Sequence, residues 1–193
     1  MRMIKKVLPL LLLLMAFSAG GFAQAAAKAE EHRTVAQVLD KSLSNAESEF
    51  VSAADAMPED KYSYAPSNGE FKGVRTYGNQ IKHVAAVNYI LGAAILGEKP
   101  PVDTGEEHGP ASVKSKADIM KFLKDSFAYA HKAMNSVDEK NLVASIKDPF
   151  GDDSATRLGL ALTVVAHPFD HYGQMVEYLR MNGVVPPASR PAK

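Results

Sequence analysis

Apolar residues recur at alternating steps of four and three from Val35 to Met57, through Leu39, Leu43, Ala46, Phe50 and Ala53. That rhythm lays one apolar stripe along an α-helix. Thr34 and Gln37 stand at its head in the spacing of a capping box, where two side chains satisfy free N–H groups of the first turn. Pro58 ends it. A second stripe, Tyr77, Ile81, Val84, Asn88, Leu91 and Ile95, predicts a helix over about 74–96. Gly97 suits the left-handed position after a helix, and Pro100-Pro101 prevents continuation. Ser115 and Asp118 repeat the capping pattern ahead of Ile119, Leu123, Phe127, Ala130, Met134 and Val137. A fourth helix is expected to start at Asp153 or Ser154 and to reach Met181, closed by Asn182-Gly183.

No strand alternation and no internal repeat stand out. Four amphipathic helices of roughly 22 to 28 residues imply an all-α, four-helix bundle. The 17 residues of 98–114 are polar and rich in Gly and Pro. Extended, they reach ~55 Å, whereas a 22-residue helix is ~33 Å long. A long crossover between helices 2 and 3 therefore fits, leaving those two helices parallel.

Charge and composition change the picture chiefly at the N-terminus. Arg2, Lys5 and Lys6 precede an apolar run from Val7 to Phe17, and Ala23-Gln24-Ala25 has the small-x-small form of a cleavage site. Residues 1–25 read as a signal peptide for export to the periplasm or the extracellular space; an uncleaved anchor is the competing reading. Removing 25 of the 193 residues leaves 168, enough for one domain over 26–193, and turns a net charge of zero into −3. That balance argues against nucleic acid, which demands a basic patch, and no membrane span is expected after cleavage. Absence of cysteine excludes disulfides, thiolate ligands and thiol-linked lipid.

The candidate chemistry is histidine. His167 and His171 lie four residues apart, a spacing that puts both imidazoles on one face of a helix. That helix is apolar on two sides, with Leu158, Leu162, Val165, Phe169, Val176 and Leu179 on one and Val164, His167, His171, Met175 and Tyr178 on the other. Such a helix is either central in its domain or touches a second subunit. His83, among Val87 and Ile90 on helix 2, is the third candidate. Three neutral imidazoles with an open position suit a catalytic divalent metal; hydrogen-bonded core histidines are the equal alternative. Pro168 predicts a kink or a junction of two helices. Asn79, Asp170 and Tyr178 are candidates to orient a ligand, Arg180 to face the helix C-terminus, and His131 to face solvent. His32 falls in the N-terminal segment, and the run from Asp103 to His108 is a minor cation candidate.

The run His167-Pro-Phe-Asp-His171-Tyr-Gly173-Gln174-Met-Val-Glu-Tyr178-Leu179-Arg180-Met-Asn-Gly183 before Pro186-Pro187 resembles the last-helix signature of the DinB-like (YfiT-related) superfamily. Arg75-Thr-Tyr-Gly-Asn-Gln-Ile-Lys-His83 is similar to its second-helix motif. The resemblance implies an up-down-down-up bundle, a homodimer, and three histidines, His83, His167 and His171, holding a divalent metal ion. Zinc or nickel suits an all-imidazole shell. It also implies metal-dependent hydrolase or transferase chemistry on a small-molecule substrate, in some relatives with a low-molecular-weight thiol. The alternative is a non-enzymatic, stress-associated metal-binding dimer.

Overall fold

The computed structural model describes residues 32–151 and 153–191; the expected signal peptide lies outside them. The fold belongs to the unit Arg33–Lys193 and contains four long helices, α1 (Val35–Ala56), α2 (Tyr77–Leu96), α3 (Lys116–Met134) and α4 (Arg157–Met181). They hold 22, 20, 19 and 25 residues, so α2 and α3 are shorter than their apolar patterns suggest. Each begins at a hydroxyl. The Thr34 side chain accepts from the Gln37 N–H and the Gln37 amide oxygen from the Thr34 N–H, which completes the capping box. Thr76 does the first half of this for Asn79, and therefore α2 starts at Tyr77 rather than near Val74. Ser115 accepts from the Asp118 N–H, but its hydroxyl also donates to the Asp118 carboxylate, so the reciprocal backbone bond is absent there. Gly97 and Gly183 take φ of 73° and 72° after α2 and α4. The Glu98 and Val184 N–H groups reach back five residues to Ala93 and Leu179, closing both helices in the manner that only a left-handed residue permits.

Directions follow from which residues meet. His131, late in α3, contacts Asp40, early in α1, while Lys116 at the start of α3 reaches the Asp55 carbonyl near the end of α1. These helices are antiparallel. Gly78 packs near Ile119, Asn88 bonds Ser126 and Gly92 packs near Tyr129, so α2 and α3 run parallel. Gln80 meets Gln174 and Ile95 meets Arg157, so α2 and α4 are antiparallel. The order is therefore up-down-down-up, and the segment 97–115 returns along the length of α2 as the crossover anticipated from its length. Among the described residues no helix is long and apolar enough to cross a membrane.

Phe50, Leu43, Ile81, Leu91, Leu123, Phe127, Met134, Met175 and Leu179 fill the core between the helices. Tyrosines then fix where α2 starts. Tyr77, fully buried, donates to the Ala53 carbonyl at 2.6 Å, and Tyr62 donates to the Ala54 carbonyl at 2.8 Å. The carbonyls of Tyr64 and Tyr62 accept from the Tyr77 and Gly78 N–H groups. The head of the helix carrying His83 is thus tied to the end of α1.

Two expectations are corrected. A small antiparallel hairpin, β1 (Ser145–Lys147) with β2 (Ser154–Thr156), precedes α4 and pairs Ile146 with Ala155. Three-residue strands are too short to show a period of two, and β2 displaces the start of α4 to Arg157. Pro168 neither divides nor ends α4, which continues from Arg157 to Met181 around it. It is buried within the continuous helix, which overturns the expected junction of two helices there.

Candidate metal centre

His83 is on the inner face of α2, and His167 and His171 are on successive turns of α4. Because those helices are antiparallel neighbours, the three rings meet, with centroids 4.6 to 5.0 Å apart. The His167 Nε2 lies 3.2 Å from the His83 Nε2 and 3.1 Å from the His171 Nε2. His83 and His171 are buried and His167 is half-buried.

The protons on these rings are set by what lies behind them. The His83 Nδ1 is 2.8 Å from the backbone carbonyl of Glu107, an obligate acceptor, so Nδ1 carries the hydrogen and Nε2 presents a lone pair. The His171 Nδ1 is 2.6 Å from the Gln80 amide oxygen. The orientation of that amide is fixed in turn. Gln80 donates to the Gln174 oxygen at 2.9 Å, and the Gln174 amide faces the Asp170 carboxylate at 3.5 Å. A carboxylate only accepts, so the chain of amides runs one way and leaves His171 donating from Nδ1. Its Nε2 also presents a lone pair.

Burial first, then the neighbouring imidazoles and Arg75, hold His167 down at about 3. Burial, followed by the charges of His83 and Arg75, holds His171 at about 4 against the opposing effect of Asp170. Burial also lowers His83. All three rings are therefore neutral near pH 7. Two inward lone pairs face the His167 Nε2, which carries at most one hydrogen, and the buried His167 Nδ1 has no hydrogen-bond partner among the described residues. A cation at the centre accepts a lone pair from each Nε2 and removes the conflict among them, with the His167 hydrogen moved to Nδ1. For metal–nitrogen bonds of about 2.0–2.1 Å, ligand nitrogens stand about 2.9 Å apart at octahedral angles and about 3.3 Å apart at tetrahedral ones. The observed 3.1 and 3.2 Å lie between these values. Among the described residues these three side chains form the group of histidine and acidic donors able to hold a metal ion.

The loop behind His83 is built under strain. Gly105, Glu106 and Glu107 take φ of 55°, 52° and 69° in succession, a left-handed turn in which two of three residues are not glycine. Left-handed backbone costs an L-residue about 1–2 kcal/mol. Here it brings the Glu107 carbonyl onto His83. Gly109 (φ 74°) lets the loop lie against α2, since a Cβ there would stand 2.9 Å from the Lys82 side chain.

The other candidates fall around this centre rather than in it. Asp170 acts through two amides. Tyr178 donates to the Arg75 carbonyl at 3.1 Å and stacks edge-on with Tyr64. Asn79 is exposed and lines a polar cleft of about 440 Å³ with Gly73, Arg75, Gln80, His108 and Gln174. Arg180, in the last turn of α4, pairs with Glu177. His32 is exposed. The acidic groups of 103–108 do not converge on a cation, because Asp103 caps the Gly105 N–H within its own turn. His131, expected in solvent, is half-buried between two carboxylates, Asp40 at 2.7 Å and Glu47 at 3.1 Å, which join α3 to α1. Sequence reasoning assigned no role to Gln80, Gln174 or Glu107. The two glutamines sit three residues from a histidine on the same helix face, which is a readable signal; the Glu107 contribution is a backbone carbonyl and has none.

Residues 42–175, all three histidines among them, match the sequence profile of the DinB superfamily. Solved structures share the fold. A DinB-like protein from Bacillus cereus ATCC 10987 is 17% identical, with a TM-score of 0.58 over 77% of this chain and 93% of that one. A conserved protein from Enterococcus faecalis is 18% identical, with a TM-score of 0.62 over 78% and 98%. A DinB-like protein from Bacillus subtilis is 17% identical, with a TM-score of 0.58 over 80% and 99%. No curated protein matches the sequence.

Proposed function

The chain belongs to the DinB superfamily, and from that membership and the convergence of its imidazoles we propose that it binds one divalent metal ion through His83, His167 and His171 and acts as a metal-dependent enzyme. The observation that carries this reading is the pair of inward Nε2 lone pairs, each enforced by an acceptor at the opposite ring nitrogen. In a hydrogen-bonded core cluster the single His167 Nε2 hydrogen would have to serve both of those lone pairs. Neutral imidazoles suit zinc or nickel, and three protein donors leave coordination positions for a reactant. When bound, such a cation supplies Lewis-acid activation of a water or thiol, the chemistry of a hydrolase or transferase.

This chain's own residues hold the site for that purpose. Glu107 and Gln80 fix the tautomers, Tyr77 and Tyr62 fix the height of α2, and the 97–115 crossover covers His83. Export rests on the basic and apolar pattern of residues 1–25. A homodimer is supported by α4, whose outward face carries Leu162 at 56% and Phe169 at 42% exposure.

Cobalt(II) uptake by the purified, metal-stripped protein tests the site. One equivalent with a visible ligand-field spectrum is expected, lost in His83→Ala and in His171→Ala. Uptake that survives the triple alanine variant overturns the assignment.

A further inference from the structure

Arg75, paired with the residue whose carbonyl holds His83, is a cation whose role the fold leaves open. Its backbone is fixed, because its carbonyl accepts from Tyr178 and Thr76 caps the helix immediately after it. Its guanidinium makes no hydrogen bond among the described residues; its sole ionic neighbour there is the Glu107 carboxylate, 3.7 Å away and itself half-exposed. A partly exposed pair at that distance contributes little to stability. The stem therefore ends in a planar fork of five donors suited to a carboxylate or phosphate, with no structural task that requires it.

Its surroundings point to a ligand. Arg75 lines the polar cleft of about 440 Å³ together with Gln80, Gln174, Asn79 and His108. Gln80 is also the group that holds His171, so the floor of the cleft is the back of the histidine centre. An anion lying in this cleft would face the Arg75 cation and the exposed Asn79 amide.

We propose that Arg75 anchors an oxyanion in this cleft, so that the substrate handled beside it carries a carboxylate or phosphate group. The assignment of that anion to a substrate rests on the metal-centre reading; the anion site itself does not. Glu107 then serves as the placeholder that the incoming anion displaces from Arg75.

The test is an NMR titration of the full, metal-free chain at constant ionic strength, following the Arg75 Nε–H and His108 ring signals. Acetate and inorganic phosphate are added in separate arms. Saturable shifts are expected from at least one, and the tighter of the two tells a carboxylate from a phosphoryl group. Arg75→Gln should weaken binding at least about tenfold, the scale of a lost charge-assisted hydrogen bond. Arg75→Lys should recover part of it, and Glu107→Gln, which removes the competing carboxylate, should tighten it. No saturable shift with either anion, or equal affinity in Arg75→Gln, overturns the inference. Metal uptake retained with anion binding absent sinks this inference alone. Anion binding retained with metal uptake absent sinks the metal reading and leaves the anion site standing.

Discussion

Replacing Gln80 with methionine removes one acceptor and one donor with little change in volume, and it should damage the metal centre without touching a ligand. In the native chain the Gln80 oxygen holds the His171 Nδ1–H at 2.6 Å while the Gln80 amide feeds the Gln174 oxygen. Methionine leaves both of those partners unpaired, one of them on a buried ring. An unsatisfied buried polar group costs about 1–3 kcal/mol, so the metal-free protein should lose roughly that much stability. The effect on the ion is separate. Losing the group that orients a ligating histidine typically lowers metal affinity about 10- to 100-fold, or about 1.4–2.7 kcal/mol. Competition against a chromophoric chelator measures it, and urea unfolding of the metal-free protein measures the first term. Gln80→Glu is the control, since a carboxylate accepts more strongly and should preserve affinity or raise it. If Gln80→Met binds zinc as tightly as the native chain, the amide chain does not set the His171 tautomer and the reasoning fails.

Three other outcomes follow from the same structure. His167 and His171 titrate at about 3 and about 4 folded against 6.5 unfolded, so below 6.5 the unfolded chain binds more protons. Chemical denaturation of the metal-free protein should show full stability above pH 6.5 and a decline toward pH 4, and a flat profile across that range would contradict the burial of the rings. Gly109→Ala places a Cβ 2.9 Å from Lys82 in a left-handed backbone; it should cost about 1–3 kcal/mol and weaken metal binding by drawing the Glu107 carbonyl off His83, as thermal melts and chelator competition will report. Leu162→Glu on the outward face of α4 should shift a dimer to monomer in sedimentation while leaving metal uptake intact, whereas an unchanged sedimentation coefficient would place any dimer interface elsewhere.

Much of this architecture is written in local patterns. Thr34 with Gln37, Gly97 and Asn182-Gly183 are local signals, and each marks a helix end where hydrogen bonding requires it. The length of the crossover left room for α2 and α3 to run parallel, because its extended reach exceeds the length of a helix. Convergence of His83 with His167 and His171 was legible through the two DinB-like motifs, whereas the apolar faces alone left ordinary core histidines equally open. Other features depend on tertiary partners. The hairpin at Ile146 and Ala155 is stabilised by pairing across a turn, with too few residues to carry a pattern. His131 reads as a surface residue until α1 brings Asp40 and Glu47 to its two nitrogens. Pro168 reads as a break, yet α4 runs through it and buries it. The left-handed turn at Glu106 and Glu107 opposes local preference, and only the histidine beneath it explains why it is there.

The central claim is that one ion sits where three Nε2 atoms meet. Anomalous diffraction recorded on either side of the zinc edge, from crystals grown with stoichiometric zinc, tests it most directly. A single peak about 2.0–2.1 Å from the Nε2 of His83, His167 and His171 is the expected result. Fully loaded crystals with the peak elsewhere, or with one of those rings turned away from it, would contradict the account.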